Sequence, residues 1–183
     1  NLSIATGEAR WAVEAQKLFD ACITEAGFAI PGGGDPVLAS FGIDASIDPT
    51  EGALPSGVSA LADAARQLYL LSGRRDYLAQ SERAMERLAS AARTQPLGFG
   101  TALSVMSELA SAPTQLVVVS DDPDAELAIF VRSWFAPGGI AIVVSSAGAV
   151  EWSSAGFELF DGQTLQDGLP TAYLCSDFVC RLP

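Results

Sequence analysis

Two cysteines near the end of the sequence are the residues best suited to chemistry. Cys175 and Cys180 stand in the stretch TAYLCSDFVCRLP. A disulfide requires Cα atoms roughly 5.5 Å apart, whereas five residues of extended strand span about 16 Å. The pair can therefore bond only if the chain turns back between the cysteines. We favour two reduced thiols, packed as small hydrophobic side chains; a disulfide and a redox pair stay open as alternatives.

The residue types exclude several other kinds of site. The chain has no histidine, so Ser-His-Asp triads, Cys-His dyads and His-ligated metal sites cannot form. The terminal pair cannot complete the usual four ligands of a structural zinc site. We therefore predict no metal and no cofactor. Acid–base chemistry would fall to carboxylates, tyrosines, thiols or Lys17.

Composition narrows the class of partner. The chain has 183 residues and a formal net charge of -12, from 10 Lys and Arg against 22 Asp and Glu. This charge repels nucleic acid and anionic membrane surfaces, so neither is an expected partner. No apolar run approaches the roughly 18 to 20 residues of a membrane span. The sequence predicts a soluble, cytoplasmic protein.

Residues 1–112 show helical periodicity in four segments, which predicts antiparallel helical hairpins. In the first segment, one apolar stripe is expected to face the core: Trp11, Ala15, Leu18 and Cys22. The second segment has Ser56 as the expected N-cap and Gly73 as the expected C-terminal stop. The third has an expected solvated outer face, made of Glu82, Arg83, Glu86 and Arg87.

Residues 113–183 predict a small α/β tail. Two short β-branched runs, QLVVVS and IAIVVSS, flank a helical segment. A strand, a helix and a strand over about 30 residues make a βαβ unit with parallel strands. TAYLC supplies a third strand. The predicted class is therefore α+β and mostly α, with helical hairpins followed by this tail.

A long irregular stretch at about 28–55 separates the first two helical segments. Loops of this length in compact domains are usually functional or disordered. It contains Gly32, Gly33 and Gly34, but no strand precedes these glycines and no lysine follows them. A phosphate-binding loop is therefore not predicted.

Two motifs carry a family resemblance. EGALPSGVSALADAARQLYLLSG, which begins at Glu51, and the closing TAYLCSDFVCRLP both resemble the C-terminal part of thioredoxin-domain-containing proteins of the spermatogenesis-associated protein 20 type. That family joins a thioredoxin-like domain to a six-hairpin α/α toroid of the glycosidase and N-acylglucosamine 2-epimerase architecture. The resemblance implies that this chain is the end of a larger protein, without the thioredoxin-like domain.

The resemblance also implies candidate site residues. Loops at one end of such a toroid line a sugar-handling cavity, which makes acids of the long loop the candidate catalytic residues: Glu51, Asp48, Asp44 and Asp35. Glycoside chemistry uses such acids in pairs. The adjoining Pro55, Ser56 and Gly57 become candidate ligand-binding residues. Val58 departs from the family, which usually has an amide there, and no histidine is present for sugar epimerisation.

The expected function follows from this resemblance. The chain would complete the toroid of a thioredoxin-like fusion protein and be inactive alone, while the parent protein would bind or process a carbohydrate. Expected partners are the thioredoxin-like domain, for which Cys175 and Cys180 could form a redox pair, a sugar ligand, and a second copy bound through uncovered helix faces. The alternative is a structural or interaction module without ligand chemistry.

Overall fold

The fold is mixed α/β and 55% helical. The structure is a computed structural model that describes residues 1–25, 27–31, 35–41, 49–134 and 138–181. Eight α-helices lie in these ranges: α1 (Leu2–Thr6), α2 (Ala9–Ala21), α3 (Pro36–Ser40), α4 (Gly57–Ser72), α5 (Arg75–Thr94), α6 (Gly100–Leu109), α7 (Glu126–Ser133) and α8 (Ser146–Ser154). The six strands are β1 (Ile23–Thr24), β2 (Gly27–Phe28), β3 (Thr114–Val119), β4 (Ile140–Val144), β5 (Thr171–Ser176) and β6 (Val179–Cys180). Short 3₁₀ turns lie at Pro96–Gly98 and Glu158–Phe160.

The main sheet has the strand order β4-β3-β5-β6. β3 and β4 are parallel and α7 connects them, so the predicted βαβ unit is confirmed. The predicted third strand is β5, which pairs with β3 in the antiparallel direction. The sheet of the tail is therefore mixed, with the parallel pair at one side and the β5–β6 hairpin at the other.

Both faces of β3 are covered, which explains its continuous apolar sequence. Val117 and Val119 face the helices of the largest core cluster, which also includes residues of α2, α4, α8 and β5. Leu116 and Val118 pack on the opposite face, against Val131 of α7. One cluster thus includes residues from both sides of the predicted boundary at 112/113.

Local capping chemistry was predicted correctly for α4. Ser56 is the N-cap, and its hydroxyl accepts a hydrogen bond from the backbone N–H of Ser59. Gly73 ends the helix with φ at +71°, a left-handed conformation that suits glycine. α4 and α5 are joined through Gly73 and pack against each other. Their place among the hairpins of a toroid stays a prediction.

The packing face predicted for the first helical segment, which forms α2, is wrong. Leu18 is 70% exposed and Ala15 is also exposed, while Trp11 and Cys22 are half-buried; the buried residues are Ala9, Ala12 and Phe19. The buried set follows the same 3.6-residue period, but on a neighbouring face. Small alanines on this face let other elements approach closely, and the Phe19 ring packs edge-on against Tyr77 of α5. The expected solvated face of α5 is confirmed, since Glu82, Arg83, Glu86 and Arg87 are exposed.

Candidate functional site at the β5–β6 hairpin

A two-residue turn joins β5 and β6. Asp177 and Phe178 have φ of 47° and 65°, and Ser176 pairs with Val179 on either side of them. Two consecutive left-handed residues make the turn type that matches the twist of a hairpin. Aspartate adopts this conformation readily, whereas phenylalanine does so rarely, so contacts elsewhere must hold Phe178 in place.

The turn brings the two cysteines together. Cys175 and Cys180 are directly opposite in the strand register, with Cα atoms 3.8 Å apart, and their sulfurs form a disulfide. The favoured expectation of two reduced thiols is therefore wrong, because the chain does turn back between them. Cys22 is a free, half-buried thiol.

Two side chains of the helical region, Tyr69 and Arg75, bind the turn. The Tyr69 hydroxyl of α4 donates a short hydrogen bond to the Asp177 carboxylate. Nη2 of Arg75 lies 3.0 Å from the other carboxylate oxygen. The Phe178 ring packs edge-on against the Tyr69 ring, with centroids 5.6 Å apart. These contacts join the closing motif to the first motif of the resemblance, which contains Tyr69, and to Arg75, which lies two positions after the end of that motif.

The electrostatics of this junction fix its protonation states. The hydrogen bond from Tyr69 and the Arg75 guanidinium lower the pKa of Asp177, against the opposing effect of burial. Burial and the bond to Asp177 raise the pKa of Tyr69 to about 12. The hydrogen bond to Asp177 also raises the pKa of Arg75. At neutral pH, a neutral tyrosine and a charged arginine therefore both donate to a charged carboxylate.

A buried glutamine ties the turn to the sheet and to α4. Gln115 of β3 is fully buried. Its Nε2 donates to the Leu70 carbonyl at 2.7 Å, and its Oε1 accepts from the Phe178 backbone N–H at 2.9 Å. The second bond supplies part of the restraint that the unusual backbone of Phe178 requires.

A groove of about 240 Å³ lies beside this junction. Tyr69, Arg75 and Asp177 form part of its wall, together with the buried Arg66 of α4. The Arg66 guanidinium pairs with Glu108 of α6 and donates to the Gly138 carbonyl at 3.3 Å. These contacts of Arg66 link α4 to α6 and to Gly138, while its buried Nε has no hydrogen-bond partner among the described residues.

A second pocket, of about 200 Å³, opens onto the disulfide at Cys180. Gln163 lines it, is 8% exposed, and donates from Nε2 to the Cys180 sulfur at 3.5 Å. Its Oε1 is buried and has no hydrogen-bond partner among the described residues. Glu158 and Asp161 add two carboxylates to the wall. Cys180, and not Cys175, is among the residues that line this pocket.

Of the acids proposed from the resemblance, Glu51 and Asp35 are among the described residues. Glu51 binds the start of α6, where its carboxylate accepts the backbone N–H groups of Thr101 at 2.6 Å and Ala102 at 3.0 Å. Burial opposes ionisation of Glu51, but hydrogen bonds from Ser59, Thr101 and Ala102 outweigh it and lower the pKa. This geometry gives Glu51 a helix-capping role.

Each of the remaining candidates caps a helix, is exposed, or lies outside the described residues. Asp35 accepts from the Val37 backbone N–H at 2.7 Å, at the start of α3. Ser56 caps α4, while its neighbours Pro55 and Gly57 are exposed. Asp44, Asp48 and the three glycines at 32–34 lie outside the described residues. Of the candidates among the described residues, none lines the pocket at Cys180.

Sequence reasoning missed the residues that organise the hairpin site: Tyr69, Arg75, Gln115 and Gln163. A glutamine inside an apolar strand was the one available signal for Gln115, because a buried amide must find partners. The others look like ordinary residues of a helix face or a loop. Their role depends on contacts across long stretches of sequence.

Comparison with family models, with curated proteins and with solved structures finds no match for this chain. Within the described ranges, no cluster of three or more acidic or cysteine side chains is arranged to hold a metal ion. No helix in those ranges is both long enough and apolar enough to cross a bilayer.

Proposed function

We propose that the chain is the C-terminal section of a thioredoxin-domain-containing protein of the spermatogenesis-associated protein 20 type and serves in it as a structural docking module. Its helices would complete the α/α toroid of that protein, in the cytoplasm. Its α/β tail would close one end of the toroid and face the thioredoxin-like domain. Handling of a carbohydrate would belong to the assembled parent protein.

The observation that carries the proposal is the contact between the two motifs of the resemblance. Asp177 of the closing motif binds Tyr69 of the first motif, and Phe178 packs on the same ring. Residues from both motifs of the resemblance therefore hold the helices to the tail. Such a role fits a module that positions domains better than one that reacts with a ligand.

The geometry of Glu51 favours the docking role over sugar chemistry within this chain. A catalytic carboxylate must reach the reacting atoms of the substrate. Both oxygens of Glu51 instead accept backbone N–H groups at the start of α6. Any carbohydrate site of the parent would therefore need acids other than Glu51.

A double-mutant cycle tests the junction. Tyr69→Phe and Asp177→Asn should each lower the free energy of unfolding, and together they should lower it by less than the sum. Because Asp177 is half exposed, we expect a coupling energy of about 1 kcal/mol. Tyr69→Phe combined with Asp161→Asn is the matched control, with additive losses expected. If the losses were additive in both cycles, the contact between Tyr69 and Asp177 would no longer support the proposal.

A sugar titration tests the docking role against ligand binding. Glucose, mannose, N-acetylglucosamine and maltose should leave the melting temperature of the chain unchanged, since only ligands that bind the folded state raise it. A saturable rise that Glu51→Gln abolishes would overturn the docking proposal and place a sugar site at the Glu51 loop.

A further inference from the structure

We propose that the Cys175–Cys180 disulfide is a site of reversible thiol–disulfide exchange with a protein dithiol, and that the exchange takes place at the Cys180 sulfur. This inference goes beyond the proposed function, and it holds whether or not the chain completes a toroid. It rests on the different accessibility of the two sulfurs, on the pocket at Cys180, and on the anchoring of the turn.

The two sulfurs differ in their access to a nucleophile. Cys175 is 1% exposed and belongs to the largest core cluster. Cys180 is half-buried, lies on the edge strand β6 and lines the pocket of about 200 Å³. Exchange requires a thiolate to reach one sulfur along the line of the bond that breaks. Because Cys180 lines a pocket and is less buried than Cys175, we assign the attack to Cys180, with Cys175 as the resolving cysteine.

Gln163 prepares Cys180 for both directions of exchange. Its Nε2 donates toward the Cys180 sulfur at 3.5 Å, and a donor at this distance stabilises the thiolate that forms in the reduced chain. Its buried Oε1 lacks a partner among the described residues. Such an acceptor is costly to leave unbound.

The charge around the pocket selects the class of partner. Glu158 and Asp161 stand in its wall, and the chain carries a net charge of -12. Both repel a small anionic thiol such as glutathione. A folded protein can bring a thiolate into this pocket while cationic groups on its surface offset the repulsion. The chemistry therefore favours a protein dithiol as the reductant.

The exchange balances as two substitutions. A partner thiolate attacks the Cys180 sulfur, a partner–Cys180 bond forms as the Cys175–Cys180 bond breaks, and the Cys175 thiolate takes a proton from water. The second partner thiol, after losing its proton, attacks the partner's own sulfur in the mixed disulfide and releases Cys180 as a thiolate, which is then protonated. The chain gains two electrons and two protons, and the partner becomes a disulfide.

The reduced hairpin keeps its geometry, which makes the exchange reversible. Asp177 stays bound to Tyr69 and Arg75, and the Phe178 N–H stays bound to Gln115. None of these contacts involves a sulfur atom. The two thiols therefore remain opposite each other and can form the disulfide again. In the cytoplasm, where persistent disulfides are rare, such pairs are usually catalytic or redox-sensing.

Trapping is the decisive experiment. A thioredoxin whose second active-site cysteine has been replaced by serine is mixed with the oxidised chain in a Cys22→Ser background, which leaves one disulfide and no other thiol. We expect a covalent adduct that mass spectrometry maps to Cys180. An adduct at Cys175, or no adduct, would overturn the inference.

Turnover gives a second, independent readout. With intact thioredoxin, thioredoxin reductase and NADPH, the oxidised chain should consume one equivalent of NADPH. Gln163→Met keeps the side-chain length without the amide and should slow release of Cys180 from the mixed disulfide on the order of tenfold, and reduction with it, because a hydrogen bond to the departing Cys180 thiolate is lost. Leu169→Met, at a 64% exposed position, is the matched control and should leave the rate unchanged. An unchanged rate in Gln163→Met would refute the role of Gln163.

Glutathione at the same thiol concentration distinguishes the partner class. We expect it to reduce the disulfide more slowly than thioredoxin, and its rate should rise with ionic strength as the repulsion is screened. Faster reduction by glutathione would overturn the assignment to a protein dithiol. These results do not depend on the double-mutant cycle, so failure of either proposal can be recognised separately.

Discussion

Replacement of Gln115 by leucine offers the most direct test of how the hairpin is held. Gln115→Leu has nearly the same volume but removes both hydrogen bonds of the amide. The Leu70 carbonyl lies in the last turn of α4, where helical carbonyls have no partner within the helix. The Phe178 N–H belongs to the turn itself. Both groups would lose the amide that binds them in the described structure.

The magnitude follows from these two groups. A buried polar group that loses its partner costs about 1 to 3 kcal/mol. Phe178 is only half-buried, so water can partly replace its bond. We therefore expect a loss of about 2 to 4 kcal/mol in the free energy of unfolding. For a chain of this size, that loss lowers the melting temperature by roughly 5 to 15 °C.

Urea unfolding followed by circular dichroism and tryptophan fluorescence measures this loss. The slope of the transition should stay unchanged, since the surface exposed on unfolding is nearly the same. A variant whose free energy of unfolding lies within about 0.5 kcal/mol of that of the unsubstituted chain would behave like an ordinary surface substitution. That result would refute the argument that Gln115 holds the turn.

Gln115→Glu is the pH-dependent companion of this variant. A protonated glutamic acid can still donate to Leu70 and accept from Phe178, whereas the ionised form places a charge against a carbonyl. Burial therefore raises the folded pKa of this side chain above the unfolded value of about 4.3. Because the folded state of Gln115→Glu then binds more protons than the unfolded state, the stability of this variant relative to the unsubstituted chain falls as pH rises above that value. A difference between the two proteins that does not change from about pH 4 to 7 would contradict this account.

Three further predictions concern other parts of the fold. Gly73→Ala and Gly162→Ala should each lower the free energy of unfolding by about 1 kcal/mol, because both glycines have positive φ and the carboxylate that a Cβ at Gly73 would meet is the end of the exposed Glu158 side chain, which can rotate away; a clearly larger loss for Gly73→Ala in urea unfolding would show that Glu158 is held in place. Glu51→Gln should cost about 0.5 to 1 kcal/mol at neutral pH. Since the folded pKa of Glu51 is lowered, this cost should shrink as pH falls through the unfolded and then the folded pKa, and an equal cost in acid and at neutral pH would argue against it. Sedimentation velocity should show self-association that Phe130→Glu weakens, because Ile129 and Phe130 are neighbouring apolar side chains of α7 that are both more than half exposed; a monomer at every concentration of the unmodified chain would contradict this.

Local chemistry allowed part of the fold to be predicted from the sequence. Ser56 and Gly73 were identified as the ends of α4 because caps depend on the residue and its immediate neighbours. The parallel pair β3–β4 was predicted because a βαβ unit has a characteristic length and pattern. These features need no knowledge of distant residues.

Features that depend on distant contacts were not predicted. Two faces of α2 satisfy the helical period, and contacts with residues outside the helix, such as Phe28 and Tyr77, bury Phe19 rather than Leu18. The hairpin turn was missed because Asp177 and Phe178 lack the glycine that usually marks such turns. Its backbone is held by Tyr69 and Gln115, which lie far away in the sequence.

The same anchoring explains why stabilisation is not the main contribution of the disulfide. Closing a ring as small as that between Cys175 and Cys180 removes unfolded-state entropy worth about 2 kcal/mol at most. Contacts of Asp177 and Phe178 with α4, α5 and β3 already fix the register of the hairpin, so the bond adds little order to the folded chain. A bond that contributes no more than about 2 kcal/mol to folding can open and close while the other contacts keep the chain folded. This separation of the covalent link from the structural anchor is what a reversible exchange site requires.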